Sequence, residues 1–193
     1  MRVIAGIAGG IRLDAPKTGV RPTMDRVKAA IFSSLGEEVI GARVLDLFAG
    51  SGALGIEALS RGAASALFVE ENSAAIAAIE RNLARTKLEG QVRKQDVFAF
   101  LHSAQKRDPF GIIFADPPYE KSKAGGEFTR LLLEDAQLAE LLDPAGVFVL
   151  EKRPAESMPP VALWNVTRAK AYGATEVLFL QRVRHSERSR GIP

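Results

Sequence analysis

The chain contains no cysteine, which excludes disulfides, thiolate metal centres and a cysteine nucleophile. Its two histidines are too few for an ordinary histidine-based metal site, so no metal is expected. The N-terminus lacks the apolar core of a signal peptide, and no apolar run approaches the ~20 residues that span a bilayer. A cytoplasmic protein with no membrane partner is the expectation. Internal repeats are also absent, as is any linker of disordered composition before the last ten residues.

What is present suits a single enzyme-sized domain. With 193 residues and 47% hydrophobic content, the chain can bury one sizeable core but has no room for a second catalytic domain. The net charge is only +3, yet it is unevenly spread. Residues 1–28 carry Arg2, Arg12, Lys17, Arg21, Arg26 and Lys28 against Asp14 and Asp25, a net of +4. Residues 182–193 carry Arg182, Arg184, Arg188 and Arg190 against Glu187, a net of +3, which leaves −4 for the middle. Basic ends around a mildly acidic body suit a polyanion approaching from one edge. Three sections follow: a basic hairpin-and-helix extension over 1–36 packed on the main domain, the main domain over 37–183, and a disordered basic tail over 184–193.

The organising stretch is residues 44–55. An apolar run from Val44 to Phe48, interrupted by Asp46, passes through Ala49 into Gly50, Ser51, Gly52 and Gly55. That pattern predicts a buried strand turning sharply into a helix. Gly50 and Gly52 can take backbone angles closed to other residues, and Gly55 lets the helix sit close to the sheet. The first N–H groups of that helix would face a ligand. The spacing is also the dinucleotide fingerprint, so alone it leaves NAD and S-adenosylmethionine open. Asp46 fits poorly in a fully apolar strand and suits a site that accepts hydrogen bonds from a ligand amine.

Before that stretch, Arg2–Ile4 and Gly10–Leu13 are extended candidates for a hairpin, and a helix runs from Thr23, its N-cap, to Gly36. Arg21, Arg26 and Lys28 near its start oppose the helix dipole, a placement that favours a ligand for them to meet. After it, strands alternate with helices: a helix over 53–61, a strand over 66–69 ending on Glu70, and a helix from Ser73 to Lys87 stopped by Gly90. A strand over 92–95 then leads to Asp96, with Val97 opening a helix to Gln105. A fourth strand over 111–115 meets Asp116-Pro117-Pro118-Tyr119, one helix covers 127–142, a fifth strand covers 147–150, and two antiparallel runs end the domain. This lays down a right-handed, mostly parallel α/β sheet with an antiparallel C-terminal edge strand.

In such sheets ligands bind at the carboxyl ends of the strands. Glu70 lies 20 residues after Gly50, where a carboxylate can accept both ribose hydroxyls, and Glu71 is the competing choice. Asp96 can accept from an adenine amino group with Val97 against the ring, or can simply cap the next helix. Asp116 to Tyr119 is the most specific signal. Two prolines hold the backbone extended and remove two donors, leaving rigid carbonyls towards the crevice. An exocyclic base amine is a poor nucleophile because its lone pair is delocalised. Accepting its hydrogens on the Asp116 carboxylate and the Pro117 carbonyl frees that lone pair, with Tyr119 stacked on a flipped-out base.

Together, Asp46-Leu-Phe-Ala-Gly-Ser-Gly52 and Asp116-Pro-Pro-Tyr119 resemble the class I S-adenosylmethionine-dependent amino-methyltransferases. With Arg21-Pro-Thr-Met-Asp-Arg26, the run from Leu47 to Gly62, and Tyr172-Gly-Ala-Thr175, the chain resembles the bacterial RsmD family over about residues 2–183. That family methylates N2 of a guanine in small-subunit (16S) ribosomal RNA. The resemblance implies a Rossmann-like three-layer sandwich with a seven-stranded sheet, S-adenosyl-L-methionine as donor, and Asp116, Pro117, Pro118 and Tyr119 as the catalytic loop. Arg12, Lys17, Arg21 and Arg26 are the expected phosphate contacts of a monomeric enzyme. The competing readings are a DNA adenine-N6 methyltransferase, for which the chain has little room for target recognition, and a non-enzymatic RNA-binding module that retains the fold. An NAD-dependent oxidoreductase is disfavoured because His102 and His185 lie on a helix and in the tail, away from the strand ends.

Overall fold

The computed structural model describes residues 1–14, 23–104, 108–118, 127–154, 156, 158–159 and 162–183, with backbone alone at 23 and 24. Lys17, Arg21, Tyr119 and the tail over 184–193 lie outside the described residues. The N-terminal hairpin forms through the bridge between Arg2 and Arg12. The remaining elements, in order, are α1 (Thr23–Leu35), a 3-10 turn (Gly36–Val39), β1 (Arg43–Leu47), α2 (Ala53–Ser60), β2 (Ser65–Glu70), α3 (Ser73–Thr86) and β3 (Gln91–Lys94). They continue with α4 (Val97–Ser103), β4 (Phe110–Ala115), α5 (Glu127–Glu134), α6 (Ala136–Leu141), β5 (Leu142–Lys152), β6 (Trp164–Tyr172) and β7 (Thr175–Arg182).

The seven strands form one sheet in the order β3-β2-β1-β4-β5-β7-β6. β1 to β5 are parallel neighbours, and β7 runs antiparallel to both β5 and β6. Because successive side chains in a strand point to opposite faces, each apolar strand feeds two cores. Val44, Phe68, Ile112, Phe114 and Val149 meet Ile31 and Phe32 of α1, Ile56 of α2 and Ile79 of α3, and the hairpin residues Val3, Ala8 and Leu13 join the same core. Leu45, Leu47, Val69, Ile113, Phe148 and Leu150 pack on the opposite face against Leu101 of α4, Leu132 of α5 and Leu138 of α6. The result is the expected three-layer sandwich.

One ring governs the packing beside the glycine turn. A Cβ on Gly55 would lie 2.3 Å from Cε1 of Phe68, and one on Gly90 would lie 2.6 Å from Cε2 of the same ring. Gly90 therefore makes room for Phe68. It does not stop α3: Lys87 ends that helix in a left-handed conformation, φ 56°, and Asn72 caps its start at Ser73, accepting from the N–H groups of Ala74 and Ala75.

Other boundaries also depart from the pattern. The single helix expected over 127–142 is two, because Asp135 leaves helical geometry and its carboxylate caps α6 by accepting the Leu138 N–H at 2.9 Å. β5 starts earlier than 147. Leu142 already pairs with Phe110, and the next pair is Ile112 with Val147, so the Pro144 and Gly146 turn is a bulge inside the strand. α2 and α4 stop at Ser60 and Ser103, short of the expected ends.

Candidate active site

The site lies at the carboxyl ends of the strands, where the chain order reverses between β1 and β4. β1 delivers Asp46, only 2% exposed, and then breaks. Phe48 has a left-handed φ of 54°, which no phenylalanine adopts without strain, followed by Gly50 at 55° and Gly52 at 76°. The Ala49 N–H donates to the Val69 carbonyl at 3.2 Å and the Gly52 N–H to the Ala49 carbonyl at 2.7 Å, which tie the turn to β2 and to itself. Ala49 and Ser51 are buried, whereas among the described residues a Cβ placed on Gly50 would meet only the Phe48 carbonyl, at 3.9 Å. That side of the turn is open among the described residues.

One oxygen of Asp46, the acid expected to accept from a ligand amine, is already engaged by the backbone. Its Oδ2 accepts the Gly55 N–H at 2.9 Å, so an N–H near the start of α2 is turned inward rather than towards a ligand. Burial pushes the Asp46 pKa up to about 8; the Gly55 bond opposes the rise, and the charges of Asp116 and Glu70 add to it.

Between the two candidates after β2, the structure places Glu70 against the turn and leaves Glu71 exposed. One oxygen of Glu70 accepts the Gly50 N–H and the other the Asn72 N–H, both at 2.8 Å. A carboxylate oxygen has more than one lone pair, so hydroxyl groups could still be received there. Asp96, at the end of β3, does cap α4: it accepts the Ala99 N–H at 2.9 Å, and Val97 beside it is buried. Between this cap and the turn, the rings of Phe48, Phe98 and Phe128 form an apolar group, with Phe98 and Phe128 stacked at 6.0 Å and Phe48 5.6 Å from Phe128.

β4 brings the second half. Leu47 pairs with Ala115, so Asp116 emerges on the strand next to the glycine turn. Pro117 is buried and Pro118 exposed. Burial raises the Asp116 pKa to about 6.

Sequence reasoning missed two residues. Glu151, near the end of β5, is raised well above the ordinary carboxylate range by burial and by the charges of Asp116 and Asp46. It directly follows the apolar strand Val147–Leu150, the same signal that singled out Glu70. Asn82, fully buried in α3, accepts the Asp14 N–H at 2.7 Å and donates to the carbonyls of Asp14 and Ser51, each at 2.9 Å. It thereby joins the glycine turn to the N-terminal arm. Among the described residues no group of three or more His, Cys, Asp and Glu could hold a metal ion.

Arg12 and Arg26 are exposed, and the Arg12 carbonyl accepts from Arg85. Lys28, expected among the outward cations, is instead 3% exposed. It pairs with Glu57 at 3.1 Å and donates to the Arg2 carbonyl at 2.6 Å. Burial lowers its pKa despite Glu57. Glu57 in turn accepts the N–H groups of Ile4 and Ala5 and pairs with Arg61, so these charges fasten the hairpin to α2.

A sheet of order β3-β2-β1-β4-β5-β7-β6 with β7 antiparallel, carrying a glycine turn at the reversal point, is a class I methyltransferase fold. The same architecture occurs in a solved Thermus thermophilus 16S rRNA N2 G1207 methyltransferase, RsmC, in complex with AdoMet and guanosine. It superimposes with a TM-score of 0.69 at 26% identity, covering 86% of this chain and 44% of that one. This chain belongs to the family described as Conserved hypothetical protein 95, which matches residues 1–181. It is 39% identical over 189 residues to the Escherichia coli (strain K12) Ribosomal RNA small subunit methyltransferase D, covering 97% of this chain and 92% of that protein. The Haemophilus influenzae protein of the same name is 32% identical over 185 residues, covering 94% and 93%. The family resemblance and the fold read from the motifs are thereby borne out.

Proposed function

We propose that this protein transfers the methyl group of S-adenosylmethionine to the exocyclic N2 amine of a guanine in small-subunit ribosomal RNA. The observation that carries this is the adjacency of the glycine turn after β1 and Asp116-Pro117-Pro118 after β4 on paired strands. The names of the relatives and the guanosine bound in the RsmC structure support the same substrate.

The residues at the turn fit the donor. The open side of Gly50, the Glu70 carboxylate beside it, and the buried acid Asp46, which feels the charges of two further acids, Asp116 and Glu70, together suit a ribose and a positively charged group. Asp46, Phe48, Ala49, Gly50, Ser51 and Gly52 would line that pocket, Glu70 would receive the ribose hydroxyls with Glu71 outside, and Asp96 and Val97 would hold the adenine. When bound, S-adenosylmethionine supplies an electrophilic methyl group. The Asp116 carboxylate and the Pro117 carbonyl accept the two hydrogens of the guanine amine, which localises its lone pair, and Asp116 takes the proton that the methylated amine must lose. Pro118 keeps the segment rigid and Tyr119 stacks on the base. Arg12, Lys17, Arg21 and Arg26 would hold phosphates, making binding salt-sensitive. The protein works in this scheme as a cytoplasmic monomer.

The test is methyl transfer to small-subunit RNA lacking the modification, run beside duplex DNA, with the labelled base identified by mass spectrometry. Label in guanine N2 of the RNA is the expected result. Label only in adenine of the DNA would replace this function with the adenine-N6 one.

A further inference from the structure

We propose that Glu151 is the residue that selects guanine, its carboxyl lying beside Asp116 on one face of the sheet and accepting the N1–H next to the exocyclic amine. This rests on the guanine-N2 function above and adds how the base is told from others.

The placement follows from register and pleat. Ala115 of β4 pairs with Leu150 of β5, so Asp116 and Glu151 are each the next residue along two parallel strands about 4.8 Å apart. Ala115 and Leu150 face one core, while Phe114 and Val149 before them face the other. Alternation returns Asp116 and Glu151 to the Phe114 and Val149 face, where Asp46 also points, two residues after Val44. Both Asp116 and Asp46 act electrostatically on Glu151. Its partner across β7 is Val177, which brings no charge. The following residue, Lys152, serves the opposite face, where it pairs with Glu176 at 2.8 Å.

A sheltered glutamate facing two other acids is unfavourable for folding. Among the described residues no partner of the Glu151 carboxyl accounts for its presence at this position, and violations of that kind collect at functional sites. The chemistry of the bases supplies the use. Guanine presents N2–H and N1–H side by side, two donors for two neighbouring carboxyl acceptors. Adenine presents one amine beside the bare acceptor N1, which would face an ionised Glu151 acceptor to acceptor; because a protonated carboxyl could donate to that N1, the selection belongs to the ionised form and is read at alkaline pH, where the raised carboxyl has lost its proton. A site that hydrogen-bonds a particular N–H rejects analogues lacking it strongly, because the buried acceptor is then left unpaired. Asp116 thus serves the reacting amine, and Glu151 reads the neighbouring position.

The experiment uses small-subunit RNA, reconstituted into subunits where the bare RNA is not accepted. The methylated guanosine, located by mass spectrometry, is replaced by 2-aminopurine riboside, which keeps the N2 amine but offers a lone pair at N1. The wild type is expected to prefer guanine by about 100-fold or more in kcat/KM. In Glu151→Gln, whose amide N–H can meet a bare N1, that preference should narrow by at least tenfold, with S-adenosylhomocysteine binding and melting temperature retained. Equal preference in the variant and the wild type would overturn the proposal. So would a wild type that methylates the two bases equally, which keeps the test decisive if the variant fails to fold. A wild type that methylates no guanine at all would instead overturn the function on which the proposal rests.

Discussion

The two halves of the crevice handle their carboxylates in opposite ways. Across β1 to β3 each acid is joined to a backbone donor: Asp46 to Gly55, Glu70 to Gly50 and Asn72, and Asp96 to Ala99. Across β4 and β5, no backbone N–H meets Asp116 or Glu151 among the described residues, and burial, which also raises Asp46, acts on both without that compensation. The first half is a scaffold whose hydrogen bonds fix a shape before any ligand arrives. The second keeps acceptor capacity for incoming donors, at the expense of folded-state stability.

The sharpest way to break this division is a double dissociation. Asp116→Ala should lower methyl transfer by roughly 100- to 1,000-fold while leaving S-adenosylhomocysteine affinity within about threefold, by single-turnover rates and calorimetry. Glu70→Ala should do the reverse, weakening that affinity about tenfold or more with little change in rate at saturating donor. Parallel losses in both variants would merge the halves into one.

Asp46 belongs to the scaffold by its hydrogen bond yet is destabilised by burial, and pH separates the two effects. Its folded pKa of about 8 lies above the ordinary value of 3.8, so the folded state holds the proton more tightly than the unfolded state. Stability of the free protein should therefore be fullest below pH 4 as far as this group is concerned, and fall as pH rises towards 8. Asp46→Asn should remove most of that fall, a gain on the order of a few kcal/mol at pH 8, read from urea unfolding at pH 5 and 8. A variant whose stability keeps the wild-type pH dependence would show that the Gly55 bond outweighs burial.

A smaller effect tests the packing under the scaffold. Gly55→Ala should cost about 1–3 kcal/mol, because the new methyl meets the Phe68 ring in a filled core. Denaturant unfolding with an unchanged m-value would show it, and neutrality would mean that the ring can move.

Much of this site was legible because a parallel sheet places its strand ends together, and an acid after an apolar run marks such an end. Asp46, Glu70 and Asp116 all stood out in that way. Glu151 carried the same mark, but it lies just past the strand expected over 147–150, where Pro154, Pro159 and Pro160 make the sequence irregular. Its importance comes from the pairing of β4 with β5, which is a property of the sheet and not of the segment. Asn82 gave no signal, since a polar residue in mid-helix looks like solvent-facing surface; its partners Asp14 and Ser51 are 68 and 31 positions away. Asp135 was passed over because apolar spacing runs on through it, and the cap that splits the helix is a local competitor to that spacing. No propensity could have given Phe48 its left-handed angle.

The ring of Phe68, wedged between positions 55 and 90, also limits how sequences of this kind can drift. Either glycine gains a side chain at a penalty while the ring stays, yet both gain room once position 68 becomes smaller. The three positions therefore change in order, the ring first, and related chains that have lost the aromatic are where an alanine at 55 or 90 would be tolerated. A single benzene ring thus sets the sequence of permissible steps for two segments separated by 35 residues of chain.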